Sequence, residues 1–230
     1  MVDGASEEPR KEKHPKAKKV AAPATPRDWD SRLFKGPGER SPHPLYEAVG
    51  LALSKWNSFE EEMSGIFCAM VADRAHFFPA RRAFGAIRTF EGRSDMLRLV
   101  AEIYFTAYER PEISRLAPVT DLRAELKNLI KEWKDYNSRR NEIAHGVVKS
   151  FPNYETKFNK NPPLVTNEFV HFLYWWGPAH FDSSKTSPLG VPTFAYNSAD
   201  LKHYAEKFNN LRGPARAFGA KIRGLPSPFE

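Results

Sequence analysis

A chain of 230 residues, 41% hydrophobic and 13% aromatic, has enough apolar material for one packed domain plus tails. Its formal net charge of +7 suits contact with a polyanion without demanding one, because a modest excess is also common in proteins that bind none. The single cysteine, Cys68, excludes an intrachain disulfide framework and a Cys-rich zinc site. With no apolar run of membrane-span length and no hydrophobic N-terminal stretch, a soluble cytoplasmic protein without membrane contact is expected.

Residues 1–41 carry 10 of the Lys/Arg and 7 of the Asp/Glu, and seven of the 19 prolines fall within residues 1–44. Almost no large apolar residue accompanies them, which predicts a disordered tail. Within it, Arg10 to Lys19 hold six cations and one Glu, in keeping with either a short nucleic-acid or localisation segment or a plain solvated extension.

A first helix is predicted over 43–75, where Leu51, Trp56, Phe59, Met63, Ile66, Phe67 and Met70 recur at helical spacing. Cys68 is a small core residue there, and His76-Phe77-Phe78-Pro79 ends the run. A second helical region covers 80–109, with Phe84, Ile87, Met96, Leu97, Val100, Ile103 and Tyr104 apolar and Gly92 marking a bend. Thr120 is placed to cap a third helix running to about Ala144, with Gly146 ending it.

Val147-Val148, Phe169 to Trp176 and Val191 to Phe194 suit short strands among Pro-, Asn- and Ser-rich turns. They predict a small β insertion at about 147–196, too interrupted to be a second domain. Ser198 can cap a last helix with Leu201, Tyr204, Phe208 and Leu211 on one face, which Gly213-Pro214 should break or bend, with a weaker piece to Ile222. The sum is a mainly α fold: one domain over 42–223, a four-helix bundle with a β insertion between its last two helices, and a tail at 224–230.

The third helix ends in Arg139-Arg140-Asn141-Glu142-Ile143-Ala144-His145-Gly146. At about 100° per residue, Leu122, Leu126, Leu129 and Trp133 form an inward stripe with Arg140 at its centre and Asn137 and Ala144 beside it. Asn141 and His145 are neighbours on one flank, roughly 140° from Arg140 in the case of His145. Polar groups on a buried stripe are costly unless paired or used. The set fits RNA cleavage by the ribose 2′-hydroxyl: imidazole moves protons near neutral pH, guanidinium holds phosphate, and the Asn141 amide orients the imidazole or bonds a phosphate oxygen. No metal or cofactor is needed. One imidazole per chain cannot easily be both base and acid, so two motifs meeting across a dimer would divide the work.

Arg140, Asn141 and His145, with four residues between Arg and His and the Ala-His-Gly context, resemble the signature of HEPN ribonucleases. The run from Trp56 to Glu60 is similar to that of many HEPN-like proteins, and the resemblance covers residues 43–146 and 197–212. It implies a helical bundle, a symmetric homodimer with facing motifs, and a metal-independent endoribonuclease leaving cyclic phosphate ends. The family's helix pairing puts Glu60 where it can neutralise Arg140, with Asn137 a further supporting residue. The partners implied are RNA, single-stranded or structured, a second copy of the chain, and a protein regulator.

Other interpretations stay open on the residues alone. One is a non-catalytic HEPN-like module that binds nucleotide, RNA or protein through the same groove. Another is a structural dimer in which the motif merely satisfies carbonyls at a helix end. His14, His43, His76, His171, His180 and His203 show no metal-ligand spacing. Tyr174, Trp175 and Trp176 suit either base stacking or packing of sheet on helices.

Overall fold

The structure, a computed structural model, describes residues 38–71, 77–110, 119–152, 167–173 and 196–226. Among the described residues the chain is mainly helical with a small two-stranded sheet. In order the elements are α1 (His43–Val71), α2 (Phe77–Ala86), α3 (Phe90–Tyr108), α4 (Thr120–His145), β1 (Gly146–Pro152), β2 (Asn167–Leu173) and α5 (Ser198–Gly224). The basic run Arg10 to Lys19, the Tyr174 to Trp176 cluster, the strand expected at Val191 to Phe194 and most of the C-terminal tail lie outside the described residues.

Burial every third or fourth residue explains α1. Leu45, Ala48, Ala52, Trp56, Phe59, Met63, Ile66 and Met70 all face inward. The same spacing puts Leu201, Tyr204, Phe208, Leu211, Ala215, Phe218 and Ile222 on the inner side of α5, and these two helices share the most extensive contact between any elements. Aromatic rings carry the packing outward. Trp56 meets Phe208 edge-on at 5.0 Å, Phe59 meets Trp133 at 6.3 Å, and Phe90 meets Trp133 at 4.9 Å. Rings of this size each contribute about 1.5–3 kcal/mol on full burial, so α1, α3, α4 and α5 are pinned at one centre.

Three local expectations are corrected. The second helical region is two helices, α2 and α3, and the break falls at Ile87–Thr89 rather than at Gly92. Thr89 is the N-cap of α3, its hydroxyl accepting the Gly92 amide at 3.1 Å; Gly92 is required there because a Cβ would sit 2.8 Å from Ile87 Cγ2 and 2.9 Å from Thr89 Oγ1. The caps also move by one residue. Val119 precedes α4 without a side-chain cap bond, while Asn197, not Ser198, caps α5 in a reciprocal box with Asp200. Finally, α5 runs unbroken through Gly213-Pro214 to Gly224. Both residues are exposed, so the missing amide and the ring lie on the solvent side while Leu211, Ala215 and Phe218 keep the inner side seated.

The sheet is antiparallel, pairing Gly146 with Leu173 at one end and Pro152 with Asn167 at the other. The free edge of β2 is taken by two single bridges, Glu39 to Phe169 and Tyr196 to His171. Glu39, which the sequence assigns to the tail, exchanges both backbone bonds with Phe169 at 2.8 Å, and its carboxylate accepts the Ser198 amide at 3.1 Å. The small sheet therefore gathers the segment before α1, the end of α4 and the start of α5. Among the described residues no helix is long and apolar enough to cross a membrane.

An interior helical proline is costly even on the exposed side. Pro214→Ala is expected to raise the unfolding free energy by about 2 kcal/mol, read by urea denaturation with an unchanged m-value; no gain, or a loss, would show that the proline is matched to its site.

Candidate functional site

The residues of the motif separate into an inner and an outer set. The inner set is Arg139 and Glu142, exposed by only 5% and 6%. Their side chains are one turn apart on α4 and meet at 2.8 Å, Arg139 Nη2 donating to Glu142 Oε1. The other carboxylate oxygen, Glu142 Oε2, accepts the hydroxyl of buried Tyr196 at 2.5 Å. Burial, with the neighbouring Glu142 charge adding to it, pushes the Tyr196 hydroxyl well above its ordinary pKa, so it remains a donor. Arg139 Nε and Nη1 are buried with no hydrogen-bond partner.

This corrects the helical-wheel expectation, in which Arg140 is the buried cation. The apolar stripe of Leu126, Leu129, Ile130 and Trp133 holds through the middle of α4. Near the C-terminus, β2 and Tyr196 close over the flank that carries Arg139 and Glu142, so the buried side rotates towards them. Arg140 is only half-buried.

A histidine from the strand completes the inner set. His171 is 1% exposed, and its Nε2–H donates to the carbonyl of Ile143 at 3.1 Å. That carbonyl is one of those left without an intrahelical partner at a helix end. Burial lowers the His171 pKa to about 4, leaving the ring neutral. Its closeness also explains Gly146, whose φ of −75° and ψ of 164° are ordinary extended backbone. A Cβ there would lie 2.7 Å from His171 Nε2 and 2.7 Å from the Glu142 carbonyl. The glycine ends α4 by making room for the imidazole, and not through a left-handed turn.

The outer set is Arg140, Asn141 and His145. Arg140 Nη1 donates to Asn141 Oδ1 at 3.0 Å, which links two members of the predicted site, while its Nε is buried without a partner among the described residues. Asn141 is half-buried and His145, the last residue of α4, is exposed. Four residues apart on a helix, they share a face. The structure thus joins Arg140 to Asn141 and leaves the His145 imidazole open to solvent.

The two supporting residues are not part of this group. Glu60, expected to neutralise Arg140, bonds instead with Arg93 of α3, Nη1 to Oε2 at 3.2 Å. Arg93 Nε also bonds the Ile87 carbonyl at 2.8 Å, so this pair clasps α1 to the α2–α3 junction. Glu60 thus projects from a side of α1 that faces α3. Asn137 is half-buried with no polar contact among the described residues.

Sequence inspection missed Glu142, Tyr196 and His171. The opposite charges of Arg139 and Glu142 at i,i+3 are a legible signal; nothing in the sequence links His171 or Tyr196 to them. Among the described residues no group of three or more His, Cys, Asp or Glu is placed to hold a metal. No protein-family model, curated protein or solved structure matches the chain.

Two predictions test the inner set. Glu142→Gln keeps the shape but leaves the Arg139 charge uncompensated, and is expected to cost about 3–5 kcal/mol in urea denaturation, whereas the double change Arg139→Met with Glu142→Leu should come much closer to wild type. Equal losses in both proteins would show that the ion pair itself is not what matters. The second concerns pH. Unfolded His171 takes a proton near its ordinary pKa of about 6.5, while in the fold it does so only at about 4. Between those values the unfolded state binds more protons, so stability falls as pH drops through that window and levels off below it. Replacing His171 by Phe should remove about 2 kcal/mol of the stability difference between pH 7 and pH 5; an identical difference in both proteins would rule out a neutral buried His171.

Proposed function

We propose that this protein is a HEPN-like, metal-independent endoribonuclease working as a homodimer, with Arg140, Asn141 and His145 as its catalytic residues. The observation that carries this reading is the division of the motif: Arg139 and Glu142 turn inward and hold the helix end, while Arg140 is bonded to Asn141 beside an exposed His145. The outer groups are not consumed by packing, and they are the ones the chemistry needs.

In this reaction the ribose 2′-hydroxyl oxygen attacks the adjacent phosphorus. One His145 imidazole removes the 2′ proton as the new O–P bond forms. The P–O5′ bond then breaks, and the second chain's His145, protonated, delivers a proton to the departing 5′ oxygen. The products are a 2′,3′-cyclic phosphate and a free 5′-hydroxyl. The Arg140 guanidinium stabilises the negative phosphate, while Asn141 holds it in place and orients the set. Imidazole is suited to both proton transfers because its pKa lies near neutral.

A second reading rests on the single exposed imidazole at each motif. A chain that stays monomeric lacks the second proton-transfer group, and would bind RNA or nucleotide at Arg140 and Asn141 without cutting.

The test is cleavage of end-labelled single-stranded and structured RNA in EDTA. Wild type should yield cyclic-phosphate ends, and His145→Ala, folded and of the same oligomeric state, should be slower by about 100-fold or more. Equal cleavage by both proteins sinks the assignment of His145; RNA retention without products from wild type favours the binding module.

A further inference from the structure

A groove of about 430 Å³ runs between α3 and α4. Its rim carries Arg123, Lys127, Lys131 and Lys134 from α4 and Arg98 from α3, against one carboxylate, Glu102. Ala101, Phe105, Leu126 and Ile130 form an apolar floor. Arg98 and Arg123 already have partners, Asp95 at 2.5 Å and Glu109 at 2.7 Å. Lys127, Lys131 and Lys134 are exposed and have no carboxylate partner among the described residues.

The helix relates this groove to the motif. Because α4 is one uninterrupted helix from Thr120 to His145, residues seven apart return to nearly the same face. Lys127, Lys134 and Asn141 are spaced by seven, and Arg123 and His145 lie four residues beyond each end. All five therefore fall within about 40° of one line along α4, with Lys131 close beside it. The carboxylates Asp121, Glu125, Glu132 and Asp135 lie about 100° or more away, towards the opposite side. Although Arg140 springs from a different side, its guanidinium is bonded to Asn141 and so is drawn towards this line.

We infer that the α3–α4 groove is the track along which a single RNA strand lies, its phosphates on Lys127, Lys131 and Lys134, leading to Asn141 and His145. This rests on the RNA-cleavage reading above and adds the form of the substrate to it. From Arg123 to His145 the track is roughly 33 Å long, room for several nucleotides. Cations four residues apart are separated by about 6 Å along the axis, comparable to successive phosphates on an extended strand. The space between two packed helices admits one strand, whereas a duplex presents its phosphates on a wider cylinder. The floor offers apolar surface to unpaired bases without reading their edges, so little sequence preference is expected from the track itself. An acidic partner helix would match the cations but would leave their alignment with Asn141 and His145 unexplained.

The experiment measures binding of the full chain to a fluorescein-labelled 2′-O-methyl oligouridine of roughly 12 nucleotides, which has no 2′-hydroxyl to attack. Anisotropy titrations over a range of KCl give the slope of log Kd against log salt. Each phosphate contact on a single strand contributes about 0.7 to that slope. The triple variant Lys127→Ala, Lys131→Ala, Lys134→Ala should lower it by about 2. A triple variant of equal charge change elsewhere, Arg82→Ala, Lys202→Ala, Arg223→Ala, should leave it unaltered. An unchanged slope in the groove variant overturns the track, as does an equal drop in both triple variants. Tighter binding of a poly-glutamate peptide than of the oligonucleotide, lost in the groove variant, overturns it in favour of an acidic protein partner. The track and the nuclease fail separately. Wild-type cleavage that His145→Ala abolishes, with a normal slope in the groove variant, removes the track alone; a lowered slope with no cleavage by wild type keeps the track and removes the catalysis.

Discussion

The ion pair of Arg139 with Glu142, closed off by the Tyr196 hydroxyl, is the constraint on which the C-terminal end of α4 depends. Two charges taken out of water are tolerable only when geometry and further hydrogen bonds compensate them. Here the compensation comes from two directions along the chain: one residue a helical turn away and one next to the cap of α5. The pair therefore sets where α4 ends relative to α5 and the hairpin. His171 adds a second tie across the same junction by occupying the Ile143 carbonyl. With one flank of the helix end fixed in this way, the other flank, carrying Asn141 and His145, has a defined direction without itself being buried.

Behind that junction the helices form a rigid support. The inner faces of α1 and α5 lie together along most of their length, and Trp133 carries α4 into the same aromatic centre through Phe59 and Phe90. The same helices are also linked at the surface by exposed or half-exposed ion pairs, such as Glu62 with Arg212 and Lys221 with Glu125, which contribute little individually. Shape is set by the core, not by these surface charges.

Helix positions were legible in the sequence wherever burial repeats every third or fourth residue, as in α1 from Trp56 to Met70 and α5 from Leu201 to Leu211. So were the hairpin's place between α4 and the last helix and its strand near Val147. What escaped was decided by contacts between distant residues. The wheel drawn for α4 assumes a single buried direction along the helix, and it fails at Arg139 and Arg140 because a strand and a tyrosine more than 25 residues downstream cover a different flank. A proline signal was overridden in α5 because Pro214 happens to face solvent. Gly146 was correctly placed at a helix end for the wrong cause, since the shape of the His171 ring cannot be seen from the glycine's own neighbours. The matching spacing of Lys127 and Lys134 is equally present in the sequence, but only the groove between α3 and α4 shows that both line one surface.

The passage from α4 to β1 has no connecting loop: His145 is the last helical residue and Gly146 the first of the strand. Chain length is therefore fixed at this point. One residue gained or lost would turn everything on one side of the change by about 100° around the helix axis and move the facing side chains of the hairpin to its opposite surface. Substitutions at Lys127 or Ser138 can be absorbed individually, but the spacing from Glu142 to His171's partner strand cannot drift. An insertion or deletion between Arg139 and Gly146 would therefore disturb the helix end and the hairpin together.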